Sequence, residues 1–128
     1  MYLLRKGMYY IMKIGFIGLG NMARAMIGGM LEKEMVQASD IIGSAKTQKT
    51  LDAVHEEYGI AVTKYNRTVA EQVEVLILAV KPQFLEEVIA EVRGVVREDT
   101  LVISIAAGKT LAWLAQTFGR TMKLVRCM

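Results

Sequence analysis

"GFIGLGNMARAMIGGM", Gly15 to Met30, sets three glycines ahead of a run with helical spacing. Just before the glycine loop, "KIGFIG" reads as a short buried strand. After it, Met22, Met26 and Met30 form one row at i, i+4 and i+8, and Ala23, Ile27 and Leu31 form a second beside it, which together make one apolar stripe of a helix. Gly18-Leu19-Gly20-Asn21-Met22-Ala23 fits G-x-G-x-x-G/A in the strand-to-helix setting where that pattern carries chemical meaning. The first glycine permits a sharp turn, the second lets backbone approach a pyrophosphate with no Cβ between, and Ala23 allows helix and strand to pack closely. Free amides at the helix N-terminus would then face the anion. A glycine turn with no ligand is the competing reading. Gly28 and Gly29 each cost on the order of 1 kcal/mol inside a helix relative to Ala. They predict either a close backbone neighbour or a weak spot near the helix end.

Working outward, the chain alternates short β-rich segments with helical patterns. "DIIGSAK" is a second strand, "TQKTLDAVHEEYG" a helix that Gly59 can end in a left-handed conformation, and "IAVT" a third strand. "NRTVAEQ" is a short helix with Asn66 as N-cap. "VEVLILAV" has the continuous apolar character of a central parallel strand, stopped by Lys81-Pro82. "PQFLEEVIAEVRG" is amphipathic, with Phe84, Leu85, Val88, Ile89 and Val92 inward and Glu86, Glu87, Glu91 and Arg93 outward. "EDTLVISIAAG" adds a fifth strand, "TLAWLAQTFG" a helix, and "KLVRCM" the beginning of a sixth strand. This order predicts an α/β protein: a three-layer Rossmann-type fold with a mostly parallel sheet and helices on both faces. Residues 12–128 are expected to form the domain and 1–11 an N-terminal extension, with an added edge strand or a packing arm as the alternative. The chain ends after Met128 with no cap or turn signal, which reads as an interruption.

Ligands of open α/β sheets bind beyond the carboxyl ends of the strands, so the residues there are the candidates. An acidic residue for a ribose 2′-hydroxyl is expected at the end of the second strand, but Gly43-Ser44-Ala45-Lys46-Thr47 has no carboxylate and one cation. That favours NADP, with NAD possible; Lys46 as a solvated lysine before a helix is the bland alternative. "AVKPQ" and "SIAAGKT" follow the fourth and fifth strands, and Ala79, Ala106, Ala107 and Gly108 are small enough for close approach by a cofactor. Lys81 could meet a phosphate or ribose oxygen. His55, among Asp52, Glu56 and Glu57, has no nearby Ser, Cys or second His to make a triad or a metal site. Cys127 is expected to be an inert core thiol, and Trp113 and Phe118 to pack a helix on the sheet.

With 128 residues, 53% of them hydrophobic, the chain suits one domain with a substantial core. Sixteen Lys and Arg against thirteen Asp and Glu give a net charge of +3, spread along the chain without the local density of a nucleic-acid surface. The apolar run Val75 to Val80 falls far short of the roughly 20 residues of a membrane span. The single cysteine rules out a disulfide framework and a Cys-cluster zinc site, and suits a cytoplasmic location. No nucleic-acid, membrane or metal partner is expected.

"MKIGFIGLGNMARAMIGGML", "LILAVKPQ", "VISIAAGKTLAWL" and "KLVRCM" occur in an order and spacing that resemble the N-terminal half of pyrroline-5-carboxylate reductase. The resemblance spans Met12 to Met128. It implies a cytoplasmic oxidoreductase passing a hydride from NAD(P)H to the C=N bond of 1-pyrroline-5-carboxylate to give L-proline. By analogy Ile17, Gly18, Leu19, Gly20, Asn21 and Met22 would hold the pyrophosphate, and Ser44, Lys46 and Thr47 would border the adenosine ribose. Asn66 would reach the adenosine end, Ala79, Val80, Lys81 and Pro82 would line the cofactor's middle, and Ile105, Ala106 and Ala107 would lie near the nicotinamide. No catalytic residue is singled out. Family members continue with an Asn-Thr-Pro segment and a helical domain that supplies dimerisation and most of the substrate pocket. A chain ending at Met128 is therefore expected to bind cofactor without positioning the imine, and a non-enzymatic nucleotide-binding or partner-binding module remains the rival reading. Association into a homo-oligomer is expected, through the edge left by the sixth strand.

Overall fold

The computed structural model describes residues 2–5 and 8–127. Two strands, β1 (Tyr2–Arg5) and β2 (Met8–Ile11), pair antiparallel with each other and do not join the main sheet. Of the expected extension, Met1, Lys6 and Gly7 lie outside the described residues, as does Met128 at the other end.

The main sheet contains β3 (Ile14–Ile17), β4 (Ile41–Ser44), β5 (Ala61–Thr63), β6 (Val75–Leu78), β7 (Leu101–Ser104) and β8 (Lys123–Arg126). Its order is β5-β4-β3-β6-β7-β8, with every pair parallel. The connecting helices are α1 (Asn21–Glu32), α2 (Gln48–Tyr58), α3 (Asn66–Ala70), α4 (Pro82–Val92) and α5 (Leu111–Phe118). The chain runs outward from β3 to β5 on one side, then returns to β6 on the other. The strand order therefore reverses between β3 and β6, which opens a crevice at their carboxyl ends.

Alternation along the strands divides the core. Ile14, Phe16, Ile41 and Ile77 face α1 and α2 with Ala23, Ile27, Leu51 and Val54. Leu76, Leu78 and Val102 face the other way, against Val69 and Val73 around α3, Leu85, Val88, Ile89 and Val92 of α4, and Leu114 and Phe118 of α5. This is the three-layer arrangement that the β/α alternation predicts. The ends of the helices follow local chemistry: the Thr47 hydroxyl caps α2, the Thr110 hydroxyl caps α5, and Gly59 and Gly119 end those helices in the left-handed region. Pro82 opens α4, where its missing N–H costs nothing.

Several sequence expectations change. The Met row of α1 is only partly a core row: Met22 is 55% exposed, Met26 and Met30 are half-buried against the core, and Ala23 and Ile27 are fully buried. A Cβ on Gly29 would meet nothing within 4 Å, and one on Gly28 would touch only the Tyr58 ring at an ordinary 3.4 Å, so no backbone approaches either. The close approach is at Gly15, where an added Cβ would fall 2.5 Å from Val69 Cγ1 and 3.0 Å from Val73 Cγ1. Cys127 is exposed: its amide still donates to the Ser104 carbonyl oxygen at 2.9 Å, but it follows β8, an edge strand among the described residues that is itself largely exposed. His55 Nδ1 donates to the Ile60 carbonyl oxygen at 2.8 Å, a structural bond at the end of α2. Trp113 is half-buried and Phe118 is buried.

Val69 and Val73 are fully buried and β-branched, with little freedom to retreat. Gly15→Ala is therefore expected to destabilise the fold by about 1–3 kcal/mol through overpacking, measured as a shift in the urea unfolding midpoint at unchanged slope.

Candidate functional site

The carboxyl edge of the sheet is tied together by backbone hydrogen bonds that continue past the strands. Gly18 N–H donates to the Ser44 carbonyl at 3.0 Å, Ala79 N–H to that of Ile17 at 2.8 Å, and Ala45 N–H to that of Thr63 at 3.3 Å. Gly18 has φ +98, and a Cβ there would sit 2.7 Å from the Ala79 carbonyl oxygen, so only glycine fits this turn. The middle residue of the motif, Leu19, points inward at 4% exposure, over the face of Gly43 where a Cβ would fall 2.6 Å from Leu19 Cδ2. Gly20 is different. A Cβ on it would meet nothing within 4 Å, so the space beside its backbone is open.

Gly20 is also the N-cap of α1 and contributes no side-chain cap. The first-turn amides of Asn21, Met22 and Ala23 have no intrahelical acceptors. Open space, uncapped amides and the positive end of a helix dipole together suit an anionic group held by backbone.

A cleft of about 520 Å³ lies at this edge, between the loops after β3, β4, β5 and β6 and the first turns of α4. Ile17, Gly18, Leu19, Gly20, Ser44, Lys46, Thr47, Asn66, Ala79, Val80 and Lys81 line it together. Asn21 and Met22 stand beside it in the exposed first turn of α1, and Pro82 is behind Lys81 at the start of α4. Ile105, Ala106 and Ala107 follow β7, one strand beyond the cleft; they are half-buried, buried and exposed in turn, and Ser104 Oγ accepts from the Ala106 amide at 3.3 Å.

Asn66 is not an N-cap. Tyr65 holds that position, and Asn66 is the first residue of α3. Its amide instead spans the floor of the cleft: Oδ1 accepts from the buried Ser44 hydroxyl at 2.7 Å, and Nδ2 donates to Glu91 Oε1 at 3.3 Å. Phe84, expected inward, is 37% exposed on the α4 wall, and Lys46 Nζ lies 4.2 Å from its ring centroid. Besides Phe84, sequence reasoning missed Thr50, Lys64, Glu87, Val88 and Glu91 as lining residues. Lys64 directly follows β5, so the same rule that selected the ends of the other strands could have found it.

Among the described residues, no three His, Cys, Asp or Glu side chains gather as a metal-ligand set, and no helix is long and apolar enough to cross a membrane.

A family model described as NADP oxidoreductase coenzyme F420-dependent matches residues 13–108, from the first main strand to the loop after β7. The chain belongs to this family. The pyrroline-5-carboxylate reductase of Escherichia coli is 36% identical over 116 residues, covering 91% of this chain and 43% of that enzyme. The enzyme of the same name from Methanosarcina acetivorans is 34% identical over 116 residues, again with 91% and 43% covered. The solved pyrroline-5-carboxylate reductase of Coxiella burnetii superposes with a TM-score of 0.88 at 32% identity, over 93% of this chain and 44% of that one. A Plasmodium falciparum pyrroline carboxylate reductase, solved with NADP bound, shares the fold at 23% identity and a TM-score of 0.78, over 90% of this chain and 41% of that one. This NADP oxidoreductase family member thus spans less than half the length of the curated relatives it matches.

Ser44 is fully buried, and Asn66 is the partner of its hydroxyl. Asn66→Leu is expected to cost about 1–3 kcal/mol of stability by stranding that group. Ser44→Ala in the same background should recover part of the loss in chemical denaturation.

Proposed function

We propose that these residues bind NADP(H) across the cleft and are the cofactor-binding part of a pyrroline-5-carboxylate reductase, a cytoplasmic oxidoreductase that reduces 1-pyrroline-5-carboxylate to L-proline. The observation that carries this reading is the open space at Gly20 beside uncapped helix amides, placed at the point where the strand order reverses. The strand order supports it further. Loops after β5, β4, β3, β6 and β7 follow one another along the sheet edge, so the segments assigned to adenosine, pyrophosphate and nicotinamide lie in the order of a dinucleotide.

The nicotinamide supplies the hydride when the cofactor is bound, and the chain supplies position and electrostatics. Backbone from Ile17 to Met22 holds the pyrophosphate at the positive end of α1. Ser44, Lys46 and Thr47 border the ribose, where a cation and the absence of a carboxylate favour NADP over NAD. Asn66, braced between Ser44 and Glu91, fixes the distance between the β4 edge and α4 at the adenosine end. Ala79 to Pro82 line the middle, and Ile105 to Ala107 flank the nicotinamide. Positioning the imine belongs, by the resemblance, to the part of the relatives beyond the matched residues, and lost orientation costs several powers of ten in rate.

The same reading makes residues 12–128 the cofactor-binding unit and 1–11 an extension. It also predicts a homo-oligomer, since among the described residues β8 ends the sheet and no further strand pairs with its outer edge.

NADPH is expected to bind saturably, followed by its fluorescence or by calorimetry. The room at Gly20 lets Gly20→Asp fold normally while placing a carboxylate in the anion cradle, so affinity should drop at least about tenfold. Unchanged affinity in that variant would remove the pyrophosphate assignment.

A further inference from the structure

The adenosine end of the cleft carries two features that the glycine motif does not explain. The first is a second cation. Ser44 is in register with Thr63, and the Ala45 amide donates to the Thr63 carbonyl oxygen, so the chain leaves β4 and β5 side by side. Neighbouring parallel strands are about 5 Å apart, which brings the bases of Lys46 and Lys64 to the same end of the cleft; both line it. Among the described residues the ion pairs are those of Arg97 with Glu74 and Asp99, and Lys64 takes part in none. Its side chain is exposed.

The second feature is an aromatic face on the opposite wall. Phe84 sits in the first turn of α4 at 37% exposure, and its ring is met by Lys46 Nζ at 4.2 Å. An apolar ring left this open at the end of a cleft is a stacking surface, and every nucleobase offers a π-face to one. Charge is divided across the same space. Glu87 and Glu91 line the α4 wall, Lys46 and Lys64 stand on the β4 and β5 side, and Lys81, the third lysine of the lining, is the N-cap of α4. A phosphate at this end of the cleft is therefore drawn toward Lys64 and Lys46 and away from Glu87 and Glu91.

We infer that Phe84 is the platform for the adenine ring and that Lys64, beside Lys46, is the residue that selects the 2′-phosphate, so that preference for NADP over NAD depends on the end of β5 as well as on the end of β4. This rests on the cofactor reading above and extends it to two residues. Lys46 bridges the two parts: its ammonium can lie over the Phe84 ring or turn toward a phosphate, whereas Lys64 has no such competing partner among the described residues. An ammonium paired with a doubly charged phosphate makes a charge-assisted hydrogen bond, whose loss typically weakens binding about tenfold or more.

The test is calorimetric titration of the unaltered protein, Lys64→Gln, Lys64→Arg and Phe84→Leu with NADPH and, separately, NADH. Lys64→Gln should weaken NADPH about tenfold and leave NADH within about twofold; Lys64→Arg should restore NADPH. Phe84→Leu should weaken both dinucleotides alike, by about tenfold. Equal effects of Lys64→Gln on the two ligands, no effect on either, or a Phe84→Leu variant with unaltered affinities would each overturn the inference while leaving the cofactor reading intact. Failure of the unaltered protein to bind either dinucleotide would overturn the cofactor reading itself, and this inference with it. Both positions are exposed, so unfolding midpoints equal to that of the unaltered protein should accompany the variants.

Discussion

At the turn after the first main strand, the Ala79 carbonyl oxygen occupies the place where a side chain on Gly18 would begin. A Cβ there would lie 2.7 Å from that oxygen, and φ +98 is itself a conformation that only glycine adopts freely. The two backbones touch where the paired strands β3 and β6 end and, because the strand order reverses between them, their following helices diverge to opposite faces. The hydrogen bonds from Gly18 to Ser44 and from Ala79 to Ile17 then lock three loops into one edge. The cleft is a consequence of that contact: its floor is the locked edge, and its walls are the loops that leave it.

The other glycines of the region solve different problems. Gly15 admits Val69 and Val73 on the face covered by α3, α4 and α5, while Gly43 admits Leu19 on the face covered by α1 and α2. Leu19 therefore ties the glycine loop to the core, leaving Gly20 as the position whose missing side chain opens toward solvent. The apolar face of the protein holds the loop still, and the polar face presents amides. A loop so constrained loses little conformational freedom on meeting an anion, which favours binding.

The architecture could be read from the chain because strand and helix signals are local. Val75 to Val80 is continuous enough to announce a central strand, Gly59 stops a helix, and Pro82 starts one. The residues of the glycine loop were legible for the same reason: their roles are set by backbone conformation. The misreadings share a different cause. Phe84 and Met22 are apolar at helical spacing, and spacing gives no measure of how much of a helix face the sheet covers. Asn66 has the chemistry of a cap, but a buried hydroxyl on β4 competes for its amide, and that neighbour lies 22 residues away in sequence. Glu91 enters the site only through the packing of α4, which no single stretch of sequence carries, whereas Lys64 follows β5 and was within reach of the strand-end rule. Cys127 looked apolar in company with Leu124 and Val125, yet an edge strand buries little of what it holds.

The central claim is that the carboxyl edge around Gly18 and Gly20 is where a dinucleotide binds. Backbone amide chemical shifts of the isotope-labelled protein, followed through an NADPH titration, test it most directly. The account predicts that the perturbed amides cluster at Gly18 to Ala23, Ser44 to Thr47, Lys64 to Asn66 and Ala79 to Phe84. Perturbations concentrated instead on the groove between α4 and α5, around Arg93, Trp113 and Thr117, or absent at saturating NADPH, would contradict it.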